Sequence, residues 1–166
     1  MNSRKIADAI EAKYPEPPAQ VASPYSEKME STVASITFPM FGLLINQVPR
    51  RLLNPRSAEY WDKDRAEMVG MPSCGTFEEA KGGQGAIDAG KEGLEKITAM
   101  YKENAAGPLL TGKKPIYADF IWVSFLIFLE RSNPDWFPKL LEATGDAELH
   151  KAVMTACTPY MTRNGH

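Results

Sequence analysis

Every apolar stripe in this chain repeats at helical spacing, and no segment alternates apolar and polar residues with the period of two that a half-buried strand requires. Met29, Val33, Ile36, Met40, Leu43 and Leu44 make one such stripe, and Ile87, Gly90, Leu94, Ile97 and Tyr101 make another. A third is Leu149, Val153, Ala156 and Tyr160. The fold class that follows is all-α, because helices with one apolar side each can bury those sides only against one another. With 166 residues, 43% of them hydrophobic and 24% charged, the chain has the length and balance of one helical domain with a sizeable core.

Proline, glycine and capping residues set the expected boundaries. A short helix over about 2–14 starts on Asn2 or Ser3 and stops at Tyr14-Pro15. Pro15, Pro17 and Pro18 favour a stiff, extended connector over 15–22. Ser23 and Pro24 open a second helix to about Asn46, in which Pro39 lacks the amide that would bond the Ser35 carbonyl and so predicts a kink near 35–38. Ser57 marks a new helix ended by Gly70, and Thr76 with Glu79 fits a capping box before the loop or break at 82–85. Helices are then expected at about 86–104, at 115–132, from Asn133-Pro134 to Leu141, and after a cap at Asp146. Of these, 115–132 is the most apolar and reads as buried.

Several classes of function are excluded at this level. The net charge is only -2, from 19 basic and 21 acidic side chains, and no basic cluster exceeds Arg50-Arg51 and Lys113-Lys114, so nucleic-acid binding is not expected. The apolar stretch 120–129 is too short to span a bilayer core of about 30 Å, and Asp8 interrupts any secretory signal, which points to the cytoplasm. Cys74 and Cys157 are isolated, with only His150 and His166 as nitrogen ligands, so no metal site is expected. Idle buried thiols or a disulfide between them stay open.

The run from Leu109 to Ile121, with Gly112, Pro115, Ile116 and Asp119, resembles the signature of the glutathione S-transferase C-terminal domain. There a glycine-containing turn leads into a Ser/Thr-x-x-Asp capping box at the head of the central buried helix. Asp119 stands at the structural aspartate, while Ile116 replaces the usual Ser or Thr, so half of the box is lost at a cost of about 1 kcal/mol. The segment Asn2-Ser3-Arg4-Lys5-Ile6 with Tyr14-Pro15 is similar to the last helix of that family's thioredoxin-like domain. Pro55 to Gly70 resembles the fungal transferases and bacterial lignin beta-etherases of the same superfamily.

The resemblance implies a helical bundle around a central buried helix over 23–166, a linker over 15–22 and a remnant thioredoxin-like helix over 1–14. It also implies that the residue which activates the glutathione sulfur in the family, supplied by segments ahead of the Ser motif, has no counterpart here. Of the glutathione-binding residues only Ser3 maps, holding the γ-glutamyl carboxylate at a helix N-terminus, so glutathione is a possible but weak ligand and no cofactor is certain.

The function expected is a small biosynthetic or accessory protein that holds an apolar metabolite in the family's hydrophobic pocket and promotes its cyclisation, isomerisation or dehydration. A transferase completed by dimerisation or by a partner is the second expectation, and a noncatalytic ligand-binding or interaction module is the third. A homodimer is expected.

Met29, Val33, Phe38, Met40 and Phe41, on or near the kink, are the candidate ligand contacts, with simple core packing as the competing reading. Tyr25, Glu30, Arg50 and Tyr60 are the candidate catalytic groups, joined by Arg51, Asp64, Arg65 and His150 as side chains able to relay a proton or hold an anion. Against that, Tyr60, Trp61, Asp64 and Arg65 suit a helix-surface set at i to i+4, and His150 suits a solvated position on the last helix. Trp122, Phe125, Phe128 and Leu129 are assigned to the core and Asp119 to folding.

Overall fold

The computed structural model describes residues 3–161. Asn2 as a helix cap and His166 as a nitrogen ligand therefore lie outside the described residues. The helices are α1 (Ser3–Lys13), α2 (Pro24–Thr37), α3 (Gln47–Arg51), α4 (Pro55–Val69), α5 (Cys74–Lys81), α6 (Gly83–Lys102), α7 (Tyr117–Ser132), α8 (Phe137–Ala143) and α9 (Ala147–Cys157). Short 3-10 turns occupy Phe41–Leu43 and Thr158–Tyr160, and no strand occurs among the described residues.

The core forms where α2 packs across α6 and α7, with α9 closing the far side of α7. Met29, Ile36 and Met40 from α2 and its extension meet Leu94 and Ile97 of α6 and Trp122 and Leu126 of α7. The α2–α6 crossing is close because α6 carries glycine at two contact points. A Cβ on Gly93 would lie 2.0 Å from Ile36 Cγ2, and one on Gly90 would lie 2.5 Å from Met40 Sδ. Both glycines are thus explained by helix packing.

Pro39 does more than kink the second helix. The helix stops at Thr37, and the segment Phe41–Arg51 leaves at 67° to it, so the expected single helix to Asn46 is replaced by α2, a 3-10 turn and α3. Two expected starts move three residues earlier for one reason: a better cap stands upstream. Asn54 Oδ1 accepts from the Ser57 amide at 2.9 Å, with Pro55 at the first helical position, and Ser73 Oγ accepts from the Thr76 amide at 3.1 Å. Thr76 is therefore not itself the cap. The glycine run is a tight break and not a loop, since α6 begins at Gly83, whose φ of 63° lies in the left-handed region. At the other end, Asn133 donates to the Leu43 carbonyl at 2.8 Å, and α8 begins only at Phe137.

Asp119 holds the head of α7. Its carboxylate accepts from the Ile116 amide at 2.9 Å and the Leu110 amide at 3.2 Å, joining the helix start to the preceding turn. Ile116 has no side-chain acceptor to return the bond, so the capping box is one-sided. The segment between α1 and α2 is tied at both ends, with the Val21 amide on Glu11 at 2.9 Å and the Ala19 carbonyl accepting from the Tyr117 amide at 2.7 Å. No single helix among the described residues is long and apolar enough to cross a membrane.

Candidate functional site

The sequence-predicted residues do not converge on one cavity. Met29 and Met40 are fully buried in the core, Phe41 is half-buried with its ring edge toward Phe77 at 6.2 Å, and Phe38 is 72% exposed. Phe38 borders a groove of about 520 Å³ shared with Phe77, Ala80, Gly85 and Ala89. Val33 lines a shallow groove of about 340 Å³ with Ser3, Glu30, Thr37, Tyr117 and Ile121. Ser3 and Glu30 thus stand together. There the carboxylate of Glu30 is paired with Arg4 at 3.4 Å.

The remaining polar candidates are spread over separate surfaces. Tyr25 donates to Glu103 at 3.0 Å, which raises its phenol above the ordinary value and, with Lys28, lowers the Glu103 carboxyl. Tyr60 is 70% exposed and donates to Asp64 at 3.4 Å; Asp64 pairs with Arg65, whose guanidinium lies 4.7 Å over the Trp61 ring. Arg50 is exposed on α3, and Arg51 pairs with Asp135 at 3.3 Å.

His150 is fully buried, contrary to its expected place in solvent, because two partners on other helices satisfy it. Trp122 Nε1 donates to its Nδ1 at 2.9 Å, and Thr98 Oγ1 lies 2.8 Å from its Nε2. Indole can only donate, so Nδ1 accepts, Nε2 carries the proton, and Thr98 passes its own proton to the Thr144 carbonyl at 2.7 Å. Burial lowers the imidazole from 6.5 to about 4, with Lys102 adding to the effect and Asp146 opposing it. His150 is neutral and sealed from any ligand.

The largest apolar concavity beside α7 was missed by sequence reasoning. Phe120, Val123, Ser124, Ile127, Phe128 and Arg131 line one side of a groove of about 530 Å³, with Leu52 and Tyr160 among those opposite and Cys157 beneath. Phe128, expected in the core, is 38% exposed and forms part of this wall. The Phe120 and Tyr160 rings meet edge to face at 5.5 Å and narrow the groove at the start of α7. Its polar groups are few: Ser124 donates to the Ile121 carbonyl at 2.9 Å, and burial first, then the Asp119 carboxylate, push the Cys157 thiol up to about 11. Cys74, desolvated beside Asp62, is pushed to about 12. Both thiols are free and protonated at neutral pH, so neither is a nucleophile. Among the described residues no cluster of His, Cys, Asp and Glu is arranged to hold a metal ion.

A family model of the glutathione S-transferase C-terminal domain matches residues 27–160. The chain belongs to this family. The glutathione S-transferase-like protein ustS of Aspergillus flavus is 28% identical over 174 residues, covering 99% of this chain and 62% of that protein. Glutathione transferases GSTFuA3 and GSTFuA2 of Phanerochaete chrysosporium superpose with TM-scores of 0.70 and 0.75 at 24% identity. Those matches cover 99% and 95% of this chain against 65% and 64% of theirs. The transferase CsGST63524 of Ceriporiopsis subvermispora, solved with glutathione, gives a TM-score of 0.70 at 22% identity over 92% of this chain and 63% of its own. These likenesses establish the fold. The chain spans about two thirds or less of each relative's length.

Proposed function

We propose that this glutathione S-transferase-like chain binds an apolar small molecule, and that the groove along α7 is where it does so. The observation that carries the reading is a groove of about 530 Å³ whose walls are mostly apolar, formed by Leu52, Phe120, Val123, Ile127, Phe128 and Met161. Any cyclisation, isomerisation or dehydration of that molecule in a biosynthetic pathway is then promoted by the shape in which it is held. The lining residues supply no group poised to exchange a proton near neutrality, since the Cys157 thiol is pushed to about 11. A ligand burying roughly 400 Å² of apolar surface gains about 10 kcal/mol, of which association takes at least about 4, leaving a Kd of tens of micromolar.

The test is titration with an uncharged, environment-sensitive dye against Ile127→Asp and, as a control in the separate groove between α2 and α7, Val33→Asp. Loss of binding only in the first supports the groove, whereas equal loss in both or in neither removes it from the proposal.

A second reading, a transferase whose site is completed by a second copy or a partner, is favoured by Ser3 at the start of α1 beside Tyr117 and Ile121. One charge-assisted contact worth about 1.5–3 kcal/mol supports only millimolar glutathione binding, which calorimetry measures directly. Native mass spectrometry reports the dimer.

A further inference from the structure

We propose that the outward face of α1 docks an amphipathic helix of another polypeptide, one whose apolar stripe is edged by carboxylates. This surface is separate from the α7 groove, and the inference stands whatever that groove binds.

The helix α1 is attached to the bundle by its polar side. Arg4 pairs with Glu30 of α2 at 3.4 Å, and its guanidinium lies 6.0 Å over the Tyr117 ring, while Glu11 accepts from the Val21 amide at 2.9 Å. Positions 4, 8 and 11 share one face, at i, i+4 and i+7. The opposite face carries Ile6, Ala9, Ile10 and Tyr14, at i, i+3, i+4 and i+8, which is the stripe a helix uses to pack against another helix. Here it points to solvent: Ile6 is 43%, Ile10 56% and Tyr14 62% exposed, and with Lys5 and Lys13 they line a shallow concavity of about 560 Å³. No residue of this eleven-residue helix is buried. So short a helix gains too little from its own backbone to stand alone, and an apolar stripe on it that joins no core is available to a partner.

Charge selects the occupant. The two acids of α1 are engaged on the inner face, Asp8 by Arg4 at 3.2 Å and Glu11 by the Val21 amide. The charged groups that line the outer concavity are Lys5 and Lys13, and among the described residues neither has a carboxylate partner, Lys13 Nζ lying 5.3 Å from the Tyr14 ring centre. Lysine stems extend an apolar stripe while their ammonium groups stay in water, so the matching surface is apolar along its middle and acidic along its edges. A second copy does not supply that surface through the same face. Packing α1 on α1 sets lysines against lysines, and a helix about 16 Å long buries far less than the roughly 800 Å² per partner of a stable dimer.

Two helical peptides carrying the same fluorophore test the inference, each with leucines every three and four residues, flanked by glutamates in one and by lysines in the other. Anisotropy titrations use the wild type, Lys5→Glu/Lys13→Glu and Ile6→Ser/Ile10→Ser, each variant first checked for an unchanged melting midpoint. The glutamate peptide is expected to bind the wild type with a Kd of roughly hundreds of micromolar, about fivefold more tightly than the lysine peptide. The preference inverts in the charge reversal, and both peptides are lost in the isoleucine variant. Failure of both peptides to bind the wild type, equal binding of the two, or a preference unaltered by the charge reversal overturns the proposal. Binding that survives the isoleucine substitutions also overturns it, by placing the peptide elsewhere. A concentration-dependent dimer in sedimentation that those substitutions dissolve overturns it too, by making a second copy the occupant.

Discussion

Acidification should unfold this protein through one histidine. In the unfolded chain His150 titrates near 6.5, and in the fold it is held to about 4, chiefly by burial. Between those values the unfolded state binds more protons than the folded one, so stability falls as pH drops through this window. The geometry gives the same sign: a proton on Nδ1 would face the Trp122 Nε1–H, which is 2.9 Å away and can only donate. Linkage gives a loss of about 2 kcal/mol by pH 5 and about 3 kcal/mol by pH 4, relative to pH 8. Urea denaturation at pH 8, 6, 5 and 4, repeated on His150→Gln, isolates this contribution by subtraction. That subtraction matters because burial raises the Asp119 pKa and so contributes in the opposite sense, while the carboxylates of Glu92 and Asp146, lowered by their lysine partners, lose stability in acid as His150 does. Parallel pH profiles for the two proteins would refute the account of His150, as would an NMR titration in which both histidines of the chain change charge near 6.5.

Asp119→Ala leaves the Ile116 and Leu110 amides without an acceptor and should cost about 2–3 kcal/mol in urea unfolding, with ligand affinity per folded molecule unchanged. Gly93→Ala places a methyl 2.0 Å from Ile36 Cγ2 and should cost about 1–3 kcal/mol, seen as a lower melting midpoint. Tyr60→Phe removes one bond at a 70% exposed position and should change stability by less than about 0.5 kcal/mol; a larger change, or lost ligand binding, would give Tyr60 a role the structure does not suggest.

Helix type and most helix boundaries were legible because periodicity and caps are local signals, while the division of the expected 23–46 helix into α2, a 3-10 turn and α3 was not. Asp146 accepts from the Leu149 amide at 3.2 Å, and Gly70 ends α4 at a φ of 65°, each where the sequence placed a boundary. The misplaced starts at Ser57 and Thr76 came from choosing a plausible cap over a better one three residues upstream, which only the extended backbone at Asn54 and Ser73 distinguishes. The site was less legible. A helix apolar on all sides reads as fully buried, yet α7 buries Trp122, Phe125, Leu126 and Leu129 while Phe120, Ile127 and Phe128 remain at the surface. Which neighbours cover which face is a tertiary fact. His150 illustrates the same limit, since its burial depends on Thr98 and Trp122, 52 and 28 residues away.

The most direct test of the groove assignment is methyl-resolved NMR of the protein titrated with an uncharged apolar ligand. Ile127, Val123 and Met161, which line the groove, should shift together with one dissociation constant in the tens of micromolar. Shifts confined to Val33 and Ala34 on α2, or to Ala80 on α5 and Ala89 on α6, would contradict the assignment and move the ligand to another surface.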